Sequence, residues 1–415
     1  MNLTRSICLL WPALMVSALV LWRKPDPRQS GAALAASLWV IAALPVLGPL
    51  ADWLGFWRFE PGGATLLGVP VELVLGWALL WGALPVLAFP RTPVPVLILC
   101  AGGFDLLAMP LCQPVVRLGP DWQLGELCSL ALVFLPAATL GRSIVQKQRL
   151  VLRAVLAAIG YAGLHYWVLP ALILEQTGGT WTRALGWSRE AQGFFLQAAF
   201  LLAVPGLSAT QEFVVRGMGT PFPFDPTRRL VTSGPYAYVS NPMQVSTLLL
   251  FLLWGLWTGS LWVAAAGGVE LVAAAGIAAW HEHTQLLPRY GDAWSVYRAQ
   301  VRFWIPRWRP RIAFTARLYV AADCELCTSV GRWFTDRSGV GLEILPAHTH
   351  TAHPLRRMRY EAPGFSEDGL AAFARALEHL HLGWAFVGWT LRLPVLSELA
   401  QWLVDISGGG PRPAQ

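Results

Sequence analysis

Charged residues are scarce in this chain of 415 residues: they make up 13% of it, whereas hydrophobic residues make up 55%. Ordinary soluble proteins carry about a quarter charged residues. A water-soluble fold of this length has too little interior to bury so many apolar side chains, so the composition excludes a purely soluble protein. The sequence has instead a series of long apolar runs. Each is long enough to cross a hydrocarbon layer of about 30 Å, which takes roughly 20 helical residues.

These runs predict an all-α polytopic membrane protein with about nine transmembrane helices. The fourth run is the weakest of them, because Pro93, Pro95 and Asp105 interrupt it. The first run ends at Trp22 without a small-residue cleavage site, which favours a retained anchor over a secretory signal peptide. The predicted spans are 6–22, 31–55, 66–88, 94–113, 123–141, 150–174, 192–214, 243–259 and 261–280.

The basic residues indicate how the chain is oriented. Clusters follow the first span, lie at 142–149 and at 216–229, and follow the last span. With nine spans, all these clusters fall on one side, which the positive-inside rule assigns to the cytoplasm. We therefore predict a multi-pass protein of the cell inner (cytoplasmic) membrane, with the N-terminus outside and the C-terminal region in the cytoplasm. The net charge of +7 follows from this topology, and no nucleic-acid partner is expected because the basic residues form no single stripe.

The composition also divides the chain into regions. Residues 1–190 form an N-terminal transmembrane region without a catalytic motif, and residues 191–308 form a core whose spans carry unusual polar flanks. Charged residues return in 309–408, which predicts a small cytoplasmic α/β domain. The Gly- and Pro-rich residues 409–415 predict a disordered tail.

The unusual polar residues stand at the two ends of the hairpin made by the last two spans. Both ends are predicted on the same side of the membrane, so the flanking segments can meet. Before the hairpin, Gly234-Pro235 predicts a tight turn, and Asn241-Pro242 predicts a turn followed by a helix start. Asn241 can cap that helix and direct free backbone N–H groups at an acidic ligand group. After the hairpin, Glu282 stands where the last span reaches water, and its carboxylate could hold a cationic ligand.

A second interpretation of these residues is equally open. Gly-Pro-Tyr and Asn-Pro are also common loop punctuation, and Glu282 between His281 and His283 is also a solvated helix end. Residue chemistry alone does not choose between the two interpretations.

The segment LVTSGPYAYVSNPM, the two spans and the segment HEHTQLLPRYGDAWSVYRAQVRFWIPR resemble the isoprenylcysteine carboxyl methyltransferase and phospholipid methyltransferase superfamily over residues 210–308. Members are integral membrane enzymes that use S-adenosylmethionine as the methyl donor. The resemblance implies that the cofactor is bound by Gly234, Pro235, Tyr236, Asn241, Pro242, Glu282, Leu286, Tyr290, Gly291 and Tyr297. Tyr238 is a further predicted cofactor-binding residue, because it supplies an aromatic side chain and a hydroxyl beside the turn.

Three positions depart from the superfamily's pattern. Ser240 replaces an Arg, His283 replaces the second Glu of an acidic pair, and Gln244 replaces a usual Tyr. The resemblance links that Arg and that acidic pair to the active site, so it implies the fold more strongly than the activity. Glu282 and His283 are the predicted catalytic residues here. Either His281 or His283 could replace the lost function, because an imidazole can remove a proton from a nucleophile. A His at a helix end is also a common polar surface residue.

The implied reaction transfers a methyl group to a membrane lipid or another hydrophobic acceptor. A carboxylate, a thiol, an amine lipid headgroup and a quinone-like ring all remain open as the accepting group. Two other functions remain open: a membrane-anchored thiol-disulfide oxidoreductase, and a non-catalytic membrane protein that carries the pocket. The sequence does not predict an oligomeric state.

Cys324-Glu-Leu-Cys327 is the second motif. Two thiols separated by two residues, after a predicted strand and at the start of a predicted helix, are typical of redox sites. LYVAADCELCTSVGRWF and the residues up to 408 resemble the DCC family of thioredoxin-fold, thiol-disulfide-oxidoreductase-like domains. The resemblance implies a thioredoxin-like domain, Cys324 and Cys327 as catalytic thiols, and a thiol partner.

Two alternatives to redox chemistry remain for this motif. The first is an inert remnant of the fold. The second is a zinc site, because thiols and imidazoles are zinc ligands; its candidate ligands are Cys324, Cys327, His348, His350 and His353. The soft spacing of these histidines in a predicted loop is weak support, so we predict no metal site.

Overall fold

The computed structural model describes residues 3–60, 62–113, 115–222, 225–322, 325–351 and 354–411. The chain divides into two compact units. The first comprises Met1–Gly186, Met218–Thr227 and Thr258–Val263, and the second comprises Trp187–Gly217, Arg228–Trp257 and Ala264–Gln415. Of the predicted disordered tail, residues 412–415 lie outside the described part.

Among the described residues, seven helices are long and apolar enough to cross a membrane. They are α1 (Leu3–Arg23), α2 (Pro27–Trp53), α3 (Val71–Ala88), α4 (Val94–Cys112), α5 (Trp122–Gln146), α6 (Leu150–Thr177) and α7 (Arg189–Val215). Two further apolar helices, α8 (Pro242–Thr258) and α9 (Leu261–His281), occupy the eighth and ninth predicted spans. The apolar helices support a multi-pass membrane protein.

The helix boundaries follow from local chemistry. Asp26 caps α2 by accepting a hydrogen bond from the Gln29 backbone N–H at 2.6 Å, and Pro27 occupies the first turn. The third predicted span began too early, because Thr65–Leu66 pairs with Val69–Pro70 in a tight β-hairpin before the helix starts. Two residues of that hairpin turn, Leu67 and Gly68, have positive φ values, which a helix does not allow.

The first unit packs around α2, whose small residues let neighbouring helices approach closely. Strands β1 (Trp57–Phe59) and β4 (Val116–Leu118) pair antiparallel, as do β2 (Thr65–Leu66) and β3 (Val69–Pro70). Buried charges in this unit are paired: Arg5 with Glu72 at 2.8 Å, and Arg153 with Asp225 at 3.0 Å. A short helix, Thr182–Leu185, follows α6.

In the second unit, α7 is followed by a single 3₁₀ turn, Gly234–Ala237, and then by the α8–α9 hairpin. Gly255 allows the two hairpin helices to touch, since a Cβ at this position would lie 2.5 Å from the Ala264 Cβ. After α9 the chain forms a π-helical turn, Glu282–Leu286, a short helix, Leu287–Tyr290, and α10 (Asp292–Gln300).

The C-terminal residues form a small α/β fold in the same unit. A four-stranded sheet has the order β6–β5–β7–β8, with β5 and β6 parallel and the other pairs antiparallel. Leu318, Phe334, Tyr360 and Leu377 are buried in its core. Its strands are β5 (Ala316–Val320), β6 (Leu342–Pro346), β7 (Arg359–Ala362) and β8 (Phe365–Asp368), and its helices are α11 (Glu325–Arg337), α12 (Leu370–Leu377), α13 (Leu382–Leu391) and α14 (Pro394–Val404). A short 3₁₀ helix, Ala347–Thr349, follows β6, and a π-helical turn, Asp405–Gly409, follows α14.

Candidate active site

The Gly-Pro-Tyr turn before the hairpin needs its glycine. Gly234 has a φ of +61°, a left-handed conformation that L side chains rarely adopt. A Cβ at this position would also lie 2.7 Å from Cγ of Glu212, which is closer than real contacts allow. Pro235 then starts the turn, whose residues are buried. The turn is therefore held directly against the end of α7.

The two segments that flank the hairpin lie side by side, as their polar residues predicted. The backbone N–H of Ser240 donates to the carbonyl of Arg302 at 3.0 Å, and its hydroxyl donates to the same oxygen at 3.2 Å. Further along, the backbone N–H of Arg307 donates to the carbonyl of Tyr238 at 3.0 Å. Ser240, which departs from the superfamily's Arg, therefore fastens the segment after the hairpin to the segment before it.

Side chains join the two motif ends as well. Nε1 of Trp294 donates to Oε1 of Glu282 at 3.1 Å, and the Tyr297 hydroxyl donates to the carbonyl of Tyr236 at 2.9 Å. The Trp294 and Tyr297 rings have centroids 5.6 Å apart. Burial raises the pKa of both Tyr236 and Tyr297, so both phenols stay protonated at neutral pH. A continuous chain of contacts thus runs from Glu282 to the turn.

Other predicted cofactor-binding residues surround this chain of contacts. Leu286 and Tyr290 pack against the cluster formed by Trp294 and Tyr297. Gly291, with a φ of +51°, precedes α10 and turns the chain between the two helices. The sequence-predicted residues of the third motif element therefore lie together.

Asn241 and Pro242 begin α8 on the other side. Pro242 occupies the first turn, and the carbonyl of Asn241 accepts from the backbone N–H of Val245 at 3.1 Å. Nδ2 of Asn241 is buried and has no hydrogen-bond partner among the described residues. A buried donor without a partner costs free energy, so this atom is suited to a bound polar ligand.

Tyr238 lies toward the C-terminal α/β fold. Its fully buried side chain donates a hydrogen bond from the hydroxyl to the carbonyl of Glu378 at 2.9 Å. Its ring meets Trp389 edge to face with centroids 5.5 Å apart. Burial raises the pKa of Tyr238 above its usual value, so this hydroxyl also remains a donor.

Several predicted catalytic groups lie outside the described residues. The His283 side chain and all of Cys324 are among them, so their roles stay predictions. Cys327 lies in the first turn of α11 and is half-buried. No group of three or more His, Cys, Asp or Glu residues within the described ranges is arranged to hold a metal ion. His350, one candidate zinc ligand, contacts Glu361 at 3.1 Å, while Cys324 and His353 fall outside those ranges.

A buried ion network that the sequence reasoning missed adjoins the turn. Glu212, near the end of α7, is fully buried, and its Oε1 lies 2.7 Å from Nη2 of Arg375 and 2.7 Å from Nη2 of Arg392. The Ser233 hydroxyl donates to its other oxygen at 2.5 Å. The sequence signal that could have found this site is the lone carboxylate of Glu212 at the end of an apolar span, which is costly unless it is paired.

The outer members of this network complete the pairing. The carboxylate of Glu378 lies 2.6 Å from Arg392 and 3.2 Å from Arg375, and Glu367 lies 3.4 Å from Arg375. Although burial acts to lower it, the surrounding carboxylates raise the pKa of Arg375 above its usual value. The network therefore joins α7 and the turn to α12 and to the end of α13 of the α/β fold.

One small cavity lies beside the turn and the network. Its volume is about 20 Å³, which is room for a water molecule and far below the size of a nucleoside cofactor. It is lined by Thr232, Ser233, Gly234, Ala237, Ile312, Phe314, Tyr360, Phe365, Arg375, Glu378 and His379. A cofactor site is therefore better sought on the Asn241 and Glu282 side of the turn than in this cavity.

Comparison with known proteins adds one match. No curated protein and no solved structure matches the chain. A family model does: residues 196–293, which include Glu212, the turn, the α8–α9 hairpin and Glu282, match the family described as phospholipid methyltransferase. The match supports a methyltransferase of the membrane for this part of the chain.

Proposed function

We propose that the protein is an S-adenosylmethionine-dependent methyltransferase that acts on a membrane-embedded or hydrophobic acceptor. The observation that carries the proposal is the chain of contacts from Glu282 through Trp294 and Tyr297 to Tyr236. It joins the two ends of a hairpin that lies inside the segment similar to phospholipid methyltransferases.

The residues at this place suit the chemistry of the cofactor. S-Adenosylmethionine, when bound, supplies an activated methyl group on a positively charged sulfur. The unpartnered Nδ2 of Asn241 offers a donor for a carboxylate or a ribose oxygen. Glu282 offers a carboxylate for an amino group, and its Oε1 already accepts a hydrogen bond from Trp294 that orients it. The Trp294 ring offers an aromatic face, which attracts a cation.

The protein's share of the reaction is positioning. Methyl transfer needs the accepting atom, the methyl carbon and the sulfur in line, and fixing two reactants in this way can supply several kcal/mol of the barrier. Glu282, Trp294 and Tyr297 would hold one wall of the pocket, while the backbone hydrogen bonds from Ser240 to Arg302 would keep the opposite segment fixed. His283 remains the candidate for removing a proton from the acceptor.

The acceptor would come from the bilayer and the cofactor from the cytoplasm. A membrane lipid or another hydrophobic small molecule can reach the end of the α8–α9 hairpin sideways, whereas a water-soluble cofactor needs the polar side. We place this side in the cytoplasm on the positive-inside distribution of Arg and Lys. The proposed location is the cell inner membrane, with the N-terminus outside.

The test is calorimetric titration of the full-length protein in lipid nanodiscs with S-adenosylmethionine. Wild type should bind saturably, and Glu282→Gln and Asn241→Ala should each weaken binding about tenfold or more, because each removes one polar contact to the ligand. Glu343→Gln, an exposed carboxylate of the α/β fold, is the matched control and should bind like wild type. Absence of saturable binding by wild type, or equal affinity in all variants, would overturn the proposal.

We propose a second activity, thiol-disulfide exchange, for the C-terminal α/β fold. Its support is the element order: a parallel β–α–β unit, then an antiparallel hairpin and a helix, with Cys327 at the start of the helix after the first strand. This is the arrangement expected of a thioredoxin-like domain of the DCC family. The Cys324 and Cys327 thiols would give two electrons and two protons to a disulfide of a thiol partner and form a disulfide themselves. The test is to measure the reduction of a small disulfide compound by the Cys324→Ser and Cys327→Ser variants. If both variants still reduce it, the two thiols do not carry out the exchange and this activity is excluded.

A further inference from the structure

The last helix of the chain, α14, has its polar side turned toward the protein. Oε1 of Gln401 accepts from the backbone N–H of Leu370 at 2.7 Å. Just beyond the helix, Asp405 accepts from Arg357 at 2.8 Å and from Nε2 of Gln401 at 2.7 Å. These bonds fix the rotation of α14 about its own axis, because Gln401 and Asp405 are four residues apart and share one face.

The opposite side of α14 is uncovered and largely apolar, with the exposed Glu398 at its edge. The exposed fractions are 70% for Val395, 55% for Leu399, 60% for Trp402, 53% for Leu403 and 62% for Ile406. Their spacing places them in one stripe along the helix. No residue of Pro394–Val404 is buried. A helix on the surface of a soluble fold normally has the reverse orientation, with the apolar stripe inside and the amide and carboxylate outside.

The neighbouring helix links α14 to a helix that crosses the membrane. Ala385 and Trp389 of α13 are buried in one cluster with Val204 of α7, which is itself fully buried. Val204 lies about 16 Å along the helix from Val215, where α7 ends, at 1.5 Å per residue. Nε2 of Gln211 also donates to the carbonyl of Arg392 at 2.9 Å. The apolar helix α13 therefore lies against α7 well inside the length of the span.

Leu396 of α14 packs against the same buried cluster, so α14 lies beside the pair formed by α7 and α13. The helix α7 itself carries exposed Phe194, Leu196 and Leu201, as expected of a helix in lipid. After α13, only Arg392 and Leu393 separate that helix from α14. Trp402 lies in the stripe, and Trp is enriched where acyl chains meet headgroups.

We propose that α14 lies on the bilayer that the protein crosses, with the apolar stripe of Val395, Leu399, Trp402, Leu403 and Ile406 in contact with lipid. The partner of this surface is the boundary between acyl chains and headgroups, which is where amphipathic helices with a strong apolar side bind. The C-terminal α/β fold then contacts the membrane directly through α14, in addition to its covalent connection to the membrane-crossing helices. This inference does not depend on the methyltransferase activity.

The experiment uses nitroxide labels on the full-length protein in phosphatidylcholine–phosphatidylglycerol vesicles. The six native cysteines are first replaced. Single cysteines for labelling are then introduced in the stripe as Leu399→Cys and Trp402→Cys. The control is Asp336→Cys, which lies at an exposed position of α11. Accessibility to oxygen, which concentrates in lipid, is compared with accessibility to a water-soluble nickel chelate. Labels at positions 399 and 402 should have an oxygen-to-nickel ratio severalfold above that of the label at 336, and the same ratio should fall in a detergent-free water-soluble amphipol.

Three results would overturn the proposal. Nickel accessibility at positions 399 and 402 as high as at 336 would mean that the stripe faces water. Strong spin–spin broadening at these positions, removed by dilution with unlabelled protein, would mean that a second copy of the chain covers it. Low accessibility to both reagents would mean that another part of the same chain covers it. All the labels replace exposed side chains, so each labelled protein should fold like wild type. Circular dichroism checks this, and only a variant that has lost its helical signal is left out of the comparison.

Discussion

At the scale of single residues, the buried charges of the second unit show which side chains the fold depends on. Glu212 is fully buried at the end of an apolar helix, a place where an unpaired carboxylate would cost several kcal/mol. Arg375 and Arg392 compensate it, and each of them also contacts Glu378. Each charge is thus shared between two or more partners, so the removal of one residue leaves two or more others incompletely paired.

His379, next to this network, gives a pH-dependent prediction. Its Nδ1 lies 2.7 Å from the carbonyl of Val340, and its Nε2 lies 2.8 Å from the Tyr360 hydroxyl. Burial, with a smaller contribution from the charge of Arg375, lowers the pKa of His379 to about 4. The unfolded chain has a His pKa of about 6.5 and therefore takes up this proton first as the pH falls.

Neutral His379 therefore contributes to the free energy of unfolding in full above pH ~6.5, and this contribution is lost as the pH falls toward 4. At pH 5 the loss amounts to about 2 kcal/mol. His379→Asn keeps a donor for Val340 and does not titrate. The thermal midpoint of wild type in detergent should therefore fall more between pH 7.5 and pH 5 than that of His379→Asn, whereas other titrating groups affect both proteins alike. Equal falls would mean that His379 is not buried in its neutral form.

At the scale of elements, the sequence predicted what depends on local spacing. The Gly-Pro-Tyr turn, the start of α8 at Pro242 and the position of Glu282 just after α9 are all properties of short segments with strong turn and capping residues. The meeting of the two hairpin ends followed from topology, because two successive spans return the chain to the same side.

The sequence did not predict the contacts made across long distances in the chain. Arg392 and Glu212 are 180 residues apart, and Tyr238 and Glu378 are 140 residues apart. Arg375 stands in an apolar helix and Arg392 directly after one, and no local pattern indicates a partner for either. Pairings of this kind are fixed by tertiary packing, which residue spacing does not encode.

Gly234→Ala tests the turn as an element. A Cβ would force an unfavourable backbone conformation and would press against Glu212, so the 3₁₀ turn should shift away from α7. We expect a lower thermal midpoint and loss of S-adenosylmethionine binding by calorimetry. Gly364→Ala, at another positive φ but with open space around it, is the matched control and should lower stability only moderately and leave binding intact. Equal binding by Gly234→Ala and wild type would separate the turn from the cofactor site.

At the scale of the whole molecule, the C-terminal α/β fold and the hairpin segment belong to one compact unit. The sequence predicts a boundary near residue 308, where charged residues return, yet Arg375 and Arg392 beyond that point contact Glu212 before it. Glu212 also accepts a hydrogen bond from the hydroxyl of Ser233, which directly precedes the Gly-Pro-Tyr turn. A change in the α/β fold that disturbs these guanidinium groups should therefore reach the proposed cofactor site.

Arg392→Met measures this coupling in the full-length chain. This substitution leaves Glu212 and Glu378 each with one partner fewer, so the free energy of unfolding should fall by about 3 kcal/mol. Cofactor affinity should fall with it, because Ser233 and Gly234 lose their fixed support. Adding Glu212→Gln to Arg392→Met removes a carboxylate that has lost one of its two cationic partners and should recover part of the stability, as a double-mutant cycle would show. Cys324→Ser/Cys327→Ser, which changes the same fold outside the network, should leave affinity unchanged; if it lowered affinity as much as Arg392→Met, the coupling would not depend on the buried ion network.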